Sequence, residues 1–439
     1  MEQNKLAGKA GSFVKAATVL AGLSVCASAH SVQPRLYQLG DGGAVAPHLA
    51  LEFGSDNNVL RRNEGSDSSV YLRLQPSLRY VVQQRNNRLQ LQYTGDYFQY
   101  AEDYCLEPKD ANCPNGSPQF DKASFQDHTF AADGFLEVTR QVRVNTFFEQ
   151  ALENQPLGTG LSSNSGTLAS LAEPDSFRQT LLRAVIAYGA PQARGEARGG
   201  ISFTNKDFND RQTTDGNITS FDNLSERSVT PSATLLYRVG VKTQVFAGLS
   251  QSDVTGGDSE RTINRYFAGV EIDASAITSG SFQLTNVVEN FDGFRTDLEY
   301  IGWQAQIDWK PRRFSTVSFS GGRESSRGLF NLDDPSLATF IGQDIGITTN
   351  IDIDWSHFWR DRISTDVSLS WYASEDVSDD GVAGVDANDV TTIFRLQGNY
   401  NLRRWLDVGA FFRTTVRDGD GVDRDYERTV FGLTANGTF

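Results

Sequence analysis

The chain has 439 residues, with 55 Asp and Glu against 40 Lys and Arg, for a formal net charge of −15. That balance argues against nucleic acid as a partner, because the footprint of such binding is a basic patch. The mean hydropathy is −0.40, and no stretch approaches the ~18 apolar residues that cross a bilayer as a helix.

Residues 1–29 read as a secretory signal peptide. Lys5, Lys9 and Lys15 make a basic start, Ala16 to Val25 is a short apolar run, and Ala27-Ser28-Ala29 fits a small-x-small cleavage site. Cys26 does not suit a lipoprotein anchor, since Val25 before it is larger than that chemistry accepts. Residues 30–46 form a short periplasmic N-terminal segment, too short for a domain of its own. Residues 47–439 carry one repeated unit.

That unit is a long alternating strand. In "SVYLRLQPSLRYVVQQ", Val70, Leu72, Leu74, Leu78, Tyr80 and Val82 share one face, while Tyr71, Arg73, Gln75, Ser77 and Arg79 share the other. After the turn Arg85-Asn86-Asn87, Leu89, Leu91, Tyr93, Gly95 and Tyr97 continue the apolar face. Further pairs follow: Thr129 to Val138 with Arg143 to Gln150, Gln179 to Tyr188 with Arg194 to Thr204, and Val229 to Tyr237 with Gln244 to Ser250. Then come Arg265 to Ile272 with Ser281 to Glu289, and Tyr300 to Trp309 with Ser315 to Gly321. The last are Ile345 to Trp355 with Ile363 to Ala373, and Val390 to Tyr400 with Leu406 to Val416. Pro76 and Pro231 remove ladder donors and predict a bulge or irregularity.

Polar loops such as "SEDVSDDGVAGVDANDV" separate these pairs, so long and short connections alternate. The first long loop holds "CLEPKDANC"; in an exported chain Cys105 and Cys113 read as a local disulfide. One strand near Leu49 to Phe53 and one at the C-terminus bring the total to about eighteen. Strands of ten or more residues suit a tilted bilayer crossing. The fold class is therefore all-β, an antiparallel transmembrane barrel with short periplasmic turns and long extracellular loops, in the bacterial outer membrane. A soluble sandwich would use shorter strands and gives no reason for the loop alternation. Tyr80, Tyr188, Tyr237, Trp309, Trp355 and Tyr400, each just before a short turn, form a girdle at one interface.

The chain ends on "TVFGLTANGTF". Phe431, Leu433 and Phe439 lie on one face of this alternating run. A barrel in lipid must close its edge, so the last strand pairs with the first. The resemblance of this ending to outer-membrane proteins implies a terminal signal read by the barrel assembly machinery.

The inward face is polar and mixed in sign. Candidate lumen-lining residues are Arg73, Arg79, Arg198, Asp352, Asp354, Asp366, Arg395, Gln397 and Arg413. Amides, charges and tyrosines suit hydrated sugar chains; a wetted wall with salt bridges also accounts for most of them. No catalytic constellation is visible: the four histidines lie in no G-x-S-x-G or H-E-x-x-H context. The acidic runs lack EF-hand spacing, and the cysteine segment offers too few ligands for zinc. The reading has no enzyme activity, cofactor or metal.

Three segments carry a family resemblance: "YGAPQARGEARGGISFTNKDF" (Tyr188 to Phe208), "YIGWQAQIDWKPRRFSTVSFSGGRES" (Tyr300 to Ser325) and "DYERTVFGLTANGTF" (Asp425 to Phe439). With them the chain resembles the "putative β-barrel porin 2" outer-membrane proteins, which are associated with exopolysaccharide secretion. The resemblance implies a conduit for an exported extracellular or capsular polysaccharide. Its partners would be that chain, the surrounding outer-membrane lipids, and periplasmic export proteins supplied as separate chains. Two other expectations stand beside it. A general diffusion porin would fold a loop inward, for which Gln155 to Ser170 is long enough. A structural or adhesive barrel would have a blocked lumen.

Overall fold

The structure is a computed structural model. It describes residues 36–40, 42–61, 63, 68–101, 123–157, 174–191, 193–212, 218–220, 224–257, 260–292, 297–325, 345–377, 388–419 and 425–439. The residues read as a leader, Cys105 and Cys113 lie outside the described residues, as does most of Gln155 to Ser170.

Eighteen long strands build the wall: β1 (Gly43–Asp56), β2 (Ser69–Gln84), β3 (Asn87–Tyr100), β4 (Phe125–Glu137), β5 (Val142–Gln155), β6 (Asp175–Tyr188), β7 (Gly195–Phe208), β8 (Glu226–Arg238), β9 (Thr243–Gly256), β10 (Arg261–Ser275), β11 (Thr278–Phe291), β12 (Leu298–Arg312), β13 (Ser315–Ser325), β14 (Ile345–Arg360), β15 (Ile363–Val377), β16 (Asn388–Arg403), β17 (Leu406–Gly419) and β18 (Tyr426–Thr438). Each pairs antiparallel with its sequence neighbours. β18 returns to β1, in register from His48↔Thr438 to Asp56↔Val430. The ring has no free edge, which the absence of water in hydrocarbon demands.

Turns of a few residues join the strands at one rim, while the longest connections, such as 101–124 and 326–344, leave from the other. Among the described residues the outer wall is apolar. Leu51, Phe53, Leu72, Leu182, Leu235, Ile301, Leu369 and Leu433 are all exposed there. Period-two alternation puts the intervening residues in the lumen.

The prolines act more mildly than the sequence predicts. β2 and β3 pair at Leu74↔Tyr97 and again at Ser77↔Thr94, skipping Pro76 without a change of register. β8 and β9 do the same around Pro231, between Val229↔Asp253 and Ser232↔Ser250. Each proline stays paired on its other side, with Leu49 and Ile201. The true register shifts fall beside the short turns, at Ile272/Ser275, Trp309/Arg312, Phe358/Arg360 and Asn401/Arg403.

The first strand starts earlier than expected, at Gly43, with residues 43–46 already in the wall. Ala44 and Ala46 are too small to give an alternating signal. A short strand, Tyr37–Leu39, adds to its turn-side end.

Candidate functional site in the lumen

The loop-side end of the lumen is packed. Asp56 ends β1 and is fully buried. The Arg428 guanidinium donates to both of its oxygens, at 2.6 and 3.0 Å, and the Tyr100 hydroxyl adds a bond at 3.0 Å. The chain beyond β1 then turns inward. The Asn58 amide N–H bonds Asp56 at 3.1 Å, and the Asn58 side chain donates to the Glu427 carbonyl at 2.9 Å. Val59 and Leu60 sink into an apolar cluster with Tyr71, Tyr100, Ala123, Leu157, Phe411 and Val430. Arg61, at φ +52°, points its guanidinium at the Leu157 carbonyl, 2.7 Å away. Burial, followed by the charge of Arg428 beside it, lowers Arg61 from its ordinary pKa.

Glycine makes room for this cluster. Gly54 and Gly432 are register partners at the closing seam. A Cβ on Gly54 would meet the Tyr71 ring at 2.7 Å, and one on Gly432 would meet the Phe53 carbonyl oxygen at 2.4 Å. A second apolar group, Val254, Ile263, Val287, Tyr300 and Ile347, packs toward the same end on β9 to β14. Two further ion pairs lie at this end: Arg417 holds Asp389 at 2.6 Å, and Arg261 holds Glu226 at 3.0 Å.

The middle and turn-side lumen is built differently. On β14 and β15, Asp352 accepts from Tyr372 and Asn350, both at 3.0 Å. Asp366 accepts from Ser356 and, at 2.8 Å, from Asn399. Asn399 accepts from Gln397 at 2.8 Å, and Gln397 from Arg395 at 2.7 Å. Asp354 has no hydrogen-bond partner among the described residues, and neither it nor Asp352 nor Asp366 is in an ion pair there. Nearby, Asp308 accepts from Ser318 at 2.8 Å. The result is a continuous wall of carboxylates, amides and hydroxyls, able to exchange hydrogen bonds with hydrated polar solutes.

The nine sequence candidates all occupy the inward-facing series. Asp352, Asp354, Asp366, Arg395, Gln397 and Arg413 come together on four adjacent strands, β14 to β17. Arg395 and Arg413 stand directly opposite one another, and Arg395 lies 5.9 Å from the Phe411 ring centroid. Arg73 is elsewhere, paired with Asp96 on β3. Arg198 is paired with Glu196, and Arg79 is exposed near the turn rim. Sequence reasoning missed Asp56, Arg61 and Arg428, whose partners lie up to 372 residues apart. Phe431, Leu433 and Phe439 are exposed on the outer wall. The Phe439 ring centroid lies 6.1 Å from that of Trp405.

Other features carry no chemistry of this kind. A concavity of about 860 Å3 lies on the outer wall, against Leu51, Phe53, Leu72, Tyr400 and Leu433, and its lining is apolar. His128 also faces outward and bonds the Tyr93 hydroxyl at 2.9 Å. No group of His, Cys, Asp and Glu that could hold a metal occurs among the described residues.

A closed ring of eighteen tilt-length strands, apolar outside and polar within, defines an outer-membrane channel of the porin kind. The family described as "putative beta-barrel porin 2" matches residues 43–439, and the chain belongs to it. Among solved structures, Pseudomonas aeruginosa OpdO is similar at 14% identity, covering 91% of this chain and 98% of that one, with a TM-score of 0.43. P. aeruginosa OpdK, solved with vanillate, is similar at 12% identity over 91% and 100%, TM-score 0.44. Acinetobacter baumannii OccAB1 is similar at 11% identity over 93% and 99%, TM-score 0.43. Comparison with curated proteins gives no match.

Proposed function

We propose that this barrel conducts hydrated, hydroxyl-bearing solutes, with carbohydrate as the solute class, through a lumen narrowed at its extracellular side. The observation that carries the reading is the inward fold of Asn57 to Arg61 against Leu157, set above the polar wall of β12 to β17. An eighteen-stranded ring is wide enough for an aqueous channel unless chain fills it. Here chain fills part of one end, which favours small solutes. The test is swelling of liposomes containing the protein in sugars of graded size. Rates that fall steeply between monosaccharides and larger oligosaccharides support the reading, and no swelling in any sugar refutes it.

A second reading is export of an extracellular polysaccharide, supported by the family resemblance and by the mixed-charge lumen wall. The export partners would be separate periplasmic chains. Deletion of the gene distinguishes the two. Loss of surface polymer with unchanged sugar permeability supports export, and the reverse supports the small-solute channel. In the export case, replacing Arg395 and Arg413 by Glu reduces polymer output.

A further inference from the structure

The two rims differ in charge. Between the strands, the short turns hold Arg85, Arg140, Arg194, Lys242, Arg313, Arg362 and Arg404 against one acid, Asp361. Every turn but 276–277 thus carries one cation. The long connections hold 24 Asp and Glu against 8 Lys and Arg. The seven turn cations are exposed. None of them is in an ion pair with a carboxylate among the described residues, and Lys242 donates only to the Ala274 carbonyl, at 3.2 Å.

Their neighbours identify the surroundings. The outward aromatics Tyr188, Tyr237, Trp309, Trp359 and Trp405 are exposed at the same rim. Trp309 adjoins Lys310, Trp359 adjoins Arg360, and Trp405 follows Arg404. Aromatic rings with polar edges collect at the headgroup level of a bilayer. A ring of unpaired cations at that level faces the phosphates of the surrounding lipid.

We propose that the turn rim is a docking surface for anionic phospholipid of the periplasmic leaflet. A phosphate accepts several charge-assisted hydrogen bonds from Arg or Lys, and the gain is largest where no protein carboxylate competes. The cations circle the whole mouth, matching an annulus of lipid rather than a partner seated on one side. An anionic polymer entering the pore fits less well, because the wall behind the rim presents Asp308, Asp352, Asp354 and Asp366. The inference does not depend on which solute passes the lumen.

The protein supplies its own reporter. Of its six tryptophans, Trp309, Trp355, Trp359 and Trp405 lie at or beside the turn rim. The full chain is reconstituted into phosphatidylcholine vesicles with increasing brominated phosphatidylglycerol, or with brominated phosphatidylcholine as the reference. Quenching of tryptophan fluorescence then gives the relative affinity of the annulus for the two lipids. The expected preference for phosphatidylglycerol at low salt is about fivefold, the factor for one added cation–phosphate contact near a surface. It falls toward unity at high salt and in a variant with all seven turn cations changed to Gln. If that variant fails to show the heat-dependent gel shift of a folded barrel, Arg404→Gln alone, beside Trp405, gives a smaller drop. A wild-type ratio near one at low salt overturns the proposal. So does a preference unchanged in the folded variants, or block of conductance by soluble polyglutamate without lipid preference, which would assign the rim to an acidic soluble partner.

Discussion

The two halves of the lumen use similar residues to opposite ends. At the loop side, Asp56, Arg428, Asp389 and Arg417 are buried and paired. Toward the turn side, Arg143, Glu196 and Arg198 still pair on one part of the wall, but Asp352, Asp354 and Asp366 keep only neutral donors or none. The difference teaches where water is. A buried charge without a partner carries a large desolvation penalty, so the closed half pairs these ions and gives the buried Arg61 guanidinium backbone carbonyls. A carboxylate that keeps solvent tolerates isolation, so the open half can leave its chemistry available for solute.

The comparison breaks most visibly if Arg428→Ala is no worse than Asp354→Asn. Removing Arg428 leaves Asp56 charged and buried, and costs about 3–5 kcal/mol. Asp354→Asn, in the wet half, changes stability by less than about 0.5 kcal/mol. Urea unfolding of both variants in lipid vesicles measures the gap, and equal midpoints refute the division.

A control on the wall itself has the next largest effect. Leu74→Arg places a charge on the lipid face and destabilises the barrel by about 2–4 kcal/mol, whereas Gln75→Arg on the lumen face is tolerated. The same unfolding assay reads both, and equal harm means the faces are misassigned.

Tyr100→Phe sharpens the picture within the closed half. It removes one of the donors to Asp56 while keeping the ring in its cluster, and costs about 1–3 kcal/mol. No loss of stability would mean that Arg428 and the Asn58 amide suffice. The smallest stability effect accompanies a functional one. Changing Asp352, Asp354 and Asp366 together to Asn leaves the unfolding midpoint nearly unmoved but lowers the cation preference of the pore, read as the reversal potential across a planar bilayer. An unchanged potential would show that these carboxylates are not in the conduction path.

A fifth expectation concerns the loop cysteines. If Cys105 and Cys113 are joined, a membrane-impermeant maleimide labels intact cells only after reduction. Labelling without reductant would show free thiols.

The sequence by itself determined the wall. Period-two alternation over Val70 to Val82 needs no tertiary information, because successive side chains of any strand point to opposite faces. The same logic put all nine lumen candidates on the inward series and made the last strand close the ring. The sequence left the ends of strands blurred where small residues hide the period, as at Ala44 and Ala46. It overstated Pro76 and Pro231, since a missing donor interrupts one ladder and spares the other. Only the tertiary structure decided which lumen charges are locked and which are free. Asp56 and Arg428 are 372 residues apart and meet because β18 pairs with β1. The inward turn of Val59 and Leu60 was equally invisible, because a short apolar pair in a polar loop has no period. Its destination depends on space left by Gly54 and Gly432 across the seam, and such space exists only once the ring has closed.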